Sequence, residues 1–188
     1  MVAESLKRRD FLLGSAALAS FFAVGRAEAS VARSVTLKEL VRQSRAVVIG
    51  TPLGGTSDWE RIGGSRRIVT YTRVRVDQLV RGTDPDSSEI VVRTLGGSVG
   101  KIGQLVEGQA ELRAGQSSLL FTLEIERDVY GVTALAQGEY RVLAESAGRI
   151  VRPSRLLPKL IGGNDSALQR LAGKPLADAL GLVRAERP

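Results

Sequence analysis

The sequence contains no cysteine and no histidine. Without a thiol there is no thiolate nucleophile, no disulfide and no Cys/His zinc site. Without an imidazole there is no Ser-His-Asp or Cys-His relay, and no side chain whose ordinary pKa lies near neutrality. General acid–base chemistry would fall to carboxylates, lysine or tyrosine with strongly displaced pKa values. Aromatic residues make up only 4% of the chain, with Trp59 the single tryptophan, so a core must be built from Val, Leu and Ala. Beyond Lys7-Arg8-Arg9, charge of one sign is not gathered into a run. The net charge is +7, carried mostly by scattered arginines, which describes a mixed, solvated surface with no nucleic-acid partner. No apolar run reaches the roughly 20 residues of a comfortable membrane span.

The N-terminal segment reads as an address. Lys7, Arg8 and Arg9 form a basic region, residues 11–24 an apolar stretch, and Ala27-Glu28-Ala29 a small-x-small cleavage site. Arg8-Arg9-Asp10-Phe11-Leu12 resembles the twin-arginine pattern of paired Arg, any residue, then Phe-Leu. Lys7 stands where that pattern usually has Ser or Thr. Gly14, Ser15 and Ser20 dilute the apolar stretch, and Arg26 follows it, as in twin-arginine signals. Residues 1–29 are therefore read as a cleaved export signal. Its partner is the twin-arginine export machinery, and its destination the periplasm or the extracellular space. With no cysteine after the apolar stretch there is no lipoprotein anchor, and no stable membrane anchor is expected. Cleavage removes four basic and three acidic residues, leaving a net charge of about +6. An exported chain without cysteine must take its stability from its core alone.

In the remainder, residues 35–45 (VTLKELVRQSR) open with Thr36 and, three residues on, Glu39, the pattern of a helix-capping box. Leu37, Leu40 and Val41 then share one helical face. Residues 46–53 (AVVIGTPL) are a continuous apolar run ending in Gly and Pro, the signature of a buried strand. After an expected loop, residues 66–82 alternate with period two and are rich in β-branched side chains, which predicts a long strand with one wetter face. Further strands are predicted at 89–95, 117–126, within 129–145 and at 148–153. Gly131 and Gly138 are expected as bends or bulges. Beyond Pro153 an Asx cap at Asn164 or Asp165 should start a helix, followed by a Gly-Lys-Pro break and a second short helix. Strands without intervening helices argue against βαβ architecture. Five to seven antiparallel strands must hide their edges, which favours a small barrel. The expectation is a mainly β chain: an OB-like barrel over residues 30–153, a short N-terminal helix, and a helical tail over residues 154–188.

The stretch TLGGSVGKIGQLVEG, residues 94–108, holds five glycines and a Gly-Lys pair. A phosphate-binding Walker loop would need Gly at position 95 and Ser or Thr at 102. Leu95 and Ile102 stand there instead, and no helix pattern follows to hold an anion. Gly96, Gly97, Gly100 and Gly103 are read as a crossing loop that needs left-handed or closely approached backbone. Trp59, flanked by glycines and charges, either covers a barrel end or, with Tyr71, contacts a ligand or partner. Glu124, Glu126 and Asp128 share a strand face; calcium binding or acid–base work there is set against a plain solvated face. Ser98 and Lys101 have no supporting catalytic motif.

The segments Leu95-Gly96-Gly97, Ala114-Gly115-Gln116, Leu120-Phe121 and Gln137-Gly138-Glu139-Tyr140 together resemble a family of small exported bacterial proteins of unassigned activity. The resemblance spans about residues 37–183. More distantly, the AVVIG strand and the strand ending Asp77-Gln78-Leu79-Val80-Arg81-Gly82 are similar to the netrin-like domains of tissue inhibitors of metalloproteinases. That similarity implies an OB-type barrel. It does not imply protease inhibition, because those inhibitors act through an N-terminal cysteine that this chain lacks. No catalytic residue, metal or cofactor is implied. The reading favours a non-enzymatic binding or accessory protein with a protein or envelope-polymer partner. The alternatives are a carbohydrate binder using Trp59 and a carboxylate-dependent hydrolase.

Overall fold

The structure is a computed structural model, and it describes residues 31–83 and 87–187. The export signal and its cleavage site lie outside the described residues. In chain order the elements are β1 (Val31–Arg33), α1 (Leu37–Gln43), β2 (Ala46–Ile62), β3 (Ser65–Gly82), β4 (Glu89–Leu95), β5 (Gly97–Val99) and β6 (Ile102–Gln104). There follow β7 (Ser118–Glu126), β8 (Val129–Val132), a 3-10 turn at Leu135–Gly138, β9 (Glu139–Glu145), β10 (Gly148–Pro153), β11 (Lys159–Ile161), α2 (Ala167–Leu171) and α3 (Leu176–Ala185).

The main sheet runs β10-β9-β7-β2-β3-β4-β8, and β8 also pairs with β7. That last pairing closes β2, β3, β4, β8 and β7 into a ring, leaving β9 and β10 as an extension. All contacts around the ring are antiparallel except β4 with β8, which is parallel. Closure removes the strand edges that an open sheet would offer to other chains. The chain is thus mainly β, with an OB-like barrel.

Two cores share the wall of this barrel. Inside lie Ala46, Val48, Val74, Ile90, Val92, Leu120 and Val132. Outside, Val47, Ile49, Leu119 and Phe121 pack with Tyr140, Val142 and Val151 beneath α1, α2 and α3. β2 and β7 therefore bury both faces where they meet, which is why Ala46–Ile49 and Leu119–Phe121 read as unbroken apolar runs rather than alternations. Helix α1 starts as expected, with the Thr36 hydroxyl accepting from Glu39 N and the Glu39 carboxylate accepting from Thr36 N. The expected Asx cap of α2 is corrected: Ser166 caps it, with Gln169 closing the box. The C-terminal helices are docked, since Leu171, Ala179 and Val183 are fully buried in the outer core. Strand β11 also pairs in parallel with β1, tying the tail to the first described residues.

The expected loop between residues 53 and 66 is instead ribbon. β2 and β3 continue as a hairpin paired from Gly54–Arg73 to Ile62–Ser65. Hydrophobic patterning could not announce residues 54–62, because none of them is buried and they are held by cross-strand pairing.

Candidate functional site

The interior of the barrel changes character along its axis. Directly paired residues on β3 and β4 share a face, so Val74–Ile90, Thr72–Val92 and Thr70–Thr94 form successive rungs pointing inward. The first is wholly apolar, the second half so, and the third is a pair of threonines. At this polar end the barrel opens into a groove of about 520 Å³. One wall is the β5–β6 hairpin; the other is the crossing segment that carries Val106, Gln109 and Ala110.

Glycine builds the first wall. At Gly97 φ is +129°, and an added Cβ would run into the hydroxyls of Thr70 and Ser57. Those hydroxyls bond each other at 2.8 Å, and Thr70 Oγ1 donates to the Gly96 carbonyl at 2.6 Å. Gly96 is equally confined, with φ +97° and the Gln104 carbonyl 2.8 Å from any Cβ. Gly100 forms the hairpin turn, and Gly103 lines the groove, where an added Cβ would meet Ser98 Oγ at an ordinary contact distance of 3.5 Å.

Carboxamides fasten the hairpin and the crossing segment to the barrel. Gln104 Oε1 accepts from Ile68 N at 2.8 Å, and Gln109 Oε1 accepts from Leu95 N at 3.4 Å. Each carboxamide thereby commits its oxygen, and its NH2 group has no partner among the described residues. The hydroxyls of Thr72 and Thr94 likewise have no protein partner among the described residues. No buried side-chain nitrogen or oxygen among those residues lacks a partner. These four groups are therefore reachable from the groove, and the groove holds unused hydrogen-bonding capacity of both signs.

The groove is electrically quiet. Its one carboxylate, Glu111, accepts from Arg113 at 2.7 Å and pairs with Arg155 at 3.8 Å. Behind it lies a second carboxylate, Glu139, with 1% of its surface exposed. Glu139 Oε2 accepts from Glu111 N at 2.8 Å and from Ser154 Oγ at 2.6 Å, so it pins the crossing segment from beneath. Burial pushes its pKa up, and these two hydrogen bonds only partly offset that.

Trp59 and Tyr71 are not brought together. Trp59 pairs with Ile68 and Tyr71 with Thr56, which places them on opposite faces of the β2–β3 ribbon. Trp59 is half-buried, with the Arg66 guanidinium 5.1 Å from its ring centroid. Tyr71 donates to Glu60 Oε1 at 2.6 Å, and Arg93 donates to Glu60 Oε2 at 2.6 Å. Arg93 first, and then Tyr71, hold the Glu60 carboxyl below its ordinary pKa; the bond to Glu60 raises that of Tyr71. Neither aromatic lines the groove. The Glu124, Glu126 and Asp128 set is dispersed: Glu124 faces Arg45 at 3.8 Å, and a bulge separates it from Glu126. Among the described residues no group of three or more acidic side chains could hold a metal ion.

Thr72, Thr94, Gln104 and Gln109 went unread in the sequence. The available signal was positional. On β3 the inward alternation of Val76 and Val74 passes to Thr72 and Thr70, a switch from apolar to polar on a face that should stay apolar. No family model, curated protein or solved structure matches the chain. No described helix is long and apolar enough to cross a membrane. The fold and the groove together define a closed β-barrel with a partly polar mouth whose one lining carboxylate, Glu111, is paired with arginine.

Proposed function

We propose that this chain is an exported, non-enzymatic binding or accessory protein, and that the groove at the barrel mouth is its binding site. One observation carries the reading: the groove contains two carboxamide NH2 groups and two threonine hydroxyls with no partner among the described residues, on walls fixed by hydrogen bonds. Pre-organised polar groups in a concave, partly apolar site are what specific recognition requires. The carboxylates favour binding over hydrolysis. Glu111 is neutralised by two arginines, and Glu139 is committed to holding the backbone. Arg66 occupies a face of Trp59 that a sugar ring would need, which favours the groove over Trp59 as the contact.

The experiment is a fragment titration followed by amide NMR on the full-length chain. N-methylacetamide stands in for a peptide group and methyl glucoside for a sugar. The expected shifts cluster on Thr72, Thr94, Gln104 and Gln109. Shifts that cluster elsewhere, or none at all, would overturn the reading. Export is tested separately. Arg8→Lys with Arg9→Lys should block export through the twin-arginine route, and normal export of that double variant would sink the route assignment.

A further inference from the structure

The β2–β3 hairpin turns at Gly63-Gly64, and its last rungs carry different charges on its two faces. On one face Glu60 stands directly opposite Arg67, and Arg93 and Tyr71 bind the same Glu60 carboxylate. The other face continues the Thr72 and Thr70 positions of β3. Its rungs there are Trp59–Ile68 and then Arg61–Arg66. Like charges directly opposite one another oppose strand pairing. Arg61 and Arg66 are exposed and belong to no ion pair among the described residues. No acidic residue of the hairpin shares their face, because Asp58 and Glu60 both fall on the opposite one. The Arg66 guanidinium lies 5.1 Å from the Trp59 ring centroid, which orders one of the two cations without neutralising it. The positive sign survives a count of both faces. Arg61, Arg66, Arg67 and Arg93 stand against Asp58 and Glu60.

We propose that this face of the hairpin docks the protein reversibly on an anionic phospholipid surface, with Arg61 and Arg66 against lipid phosphates and Trp59 beside them. The proposal is independent of the groove. A guanidinium matches phosphate oxygens with parallel N–H donors, and an indole suits the headgroup region, where its apolar body and polar N–H are both satisfied.

Shape favours a surface over a small anion. Arg61 and Arg66 line none of the clefts of about 520, 330 and 260 Å³, so none of these encloses a free phosphate against them. The number of charges favours lipid over nucleic acid. Two unpaired cations are few beside the roughly 6–10 phosphate contacts of a protein held by a nucleic-acid backbone. An anionic bilayer needs fewer, since each basic residue near its surface strengthens binding about fivefold.

Trp59 is the single tryptophan, so tryptophan fluorescence reports this face alone. The full-length chain is titrated with vesicles of equal parts phosphatidylglycerol and phosphatidylcholine, and separately with vesicles of phosphatidylcholine. The expected result is a blue shift of Trp59 emission and protection from acrylamide with the anionic vesicles only, both reversed by salt. Arg61→Glu gives this face the opposite-charge rung that Glu60 and Arg67 form on the other. It should leave the chain at least as stable as wild type to urea, yet raise the lipid concentration at half-shift about tenfold or more. Arg149→Glu, on β10, changes the net charge equally and should respond like wild type. Residues 1–29 are the same in every variant, so their own affinity for lipid cancels in the comparison. An emission spectrum unmoved by anionic vesicles, or moved equally by neutral ones, would overturn the proposal. So would an Arg61→Glu response equal to wild type, or an equal loss in Arg149→Glu, which would mark net charge alone. A shift with soluble polyphosphate but not with vesicles would also overturn it and assign the face to a soluble polyanion.

Discussion

Glu139 has two jobs that pull in opposite directions. Its carboxylate holds Glu111 N and the Ser154 hydroxyl, yet its burial opposes the charge that makes it a good acceptor. The folded chain therefore keeps its proton to a higher pH than the unfolded chain, for which 4.5 is the ordinary value. Stability from this group is fully present below that value and is lost as pH rises through the raised folded pKa. Glu139→Gln keeps an acceptor oxygen and removes the charge. The stability gap between Glu139→Gln and wild type should shift in favour of the variant as pH rises from about 4 to 8, read by urea unfolding at each pH. Glu139→Ala leaves Glu111 N and the hydroxyls of Ser154 and Ser118 without this acceptor and should cost about 1–3 kcal/mol at low pH, less as pH rises. A gap between wild type and Glu139→Gln that stays flat with pH would show that Glu139 titrates normally. At Gly97 the prediction is steric. Gly97→Ala forces a methyl into the Ser57–Thr70 hydrogen bond and into a backbone region that alanine avoids, so it should destabilise by more than 1 kcal/mol. Gly103→Ala, whose methyl meets Ser98 Oγ at an ordinary contact distance of 3.5 Å, should change thermal stability little.

Among the elements, α1 has seven residues and α2 five, so neither would persist alone in water. Each has a complete capping box and places a leucine at 0% exposure in the outer core: Leu40 from α1 and Leu171 from α2. The caps fix where each helix starts, and so which side chains reach the core. Thr36→Ala and Ser166→Ala should each cost about 1 kcal/mol in global unfolding. A loss seen only as local fraying, with the global midpoint unchanged, would show that the helices are peripheral. What could be read in the sequence follows from burial. The α1 cap and face, the doubly buried AVVIG run and the alternating β3 all leave strong patterns, because packing dictates their residues. The outer β2–β3 ribbon, the three-residue strands β1, β5, β6 and β11, and the Ser166 cap leave weak ones. Their pairing is set by backbone hydrogen bonds and by neighbours far away in sequence. The candidate groove belongs to the second group. Gly96 and Gly97 could be singled out as backbone-driven, but Thr72, Thr94, Gln104 and Gln109 converge only once the ring closes.

For the whole molecule, the question is whether the barrel stands without its C-terminal segment. Residues 154–188 form an apparent appendage in the sequence, yet the outer core is assembled from both ends of the chain. Leu37, Leu40 and Val41 of α1 lie in one cluster with Leu171, Leu176, Ala179, Leu180 and Val183. Backbone hydrogen bonds also bind the segment, from Ala167 N to the Val35 carbonyl and from Val151 N to the Lys174 carbonyl. Without it, the edge of β10 and the outer faces of β2, β7 and β9 would meet water as one apolar surface, with no disulfide to hold the chain in shape. Leu171→Ala, at a fully buried position, should cost about 2–5 kcal/mol and shift the single unfolding transition as a whole. Deleting residues 164–188 should abolish cooperative unfolding rather than leave a barrel with a lower midpoint. The deciding measurement is calorimetry of the truncated chain beside Leu171→Ala. A sharp barrel transition retained by the truncation would show two independent units; its loss, together with a single shifted peak for Leu171→Ala, would show that barrel and tail fold as one.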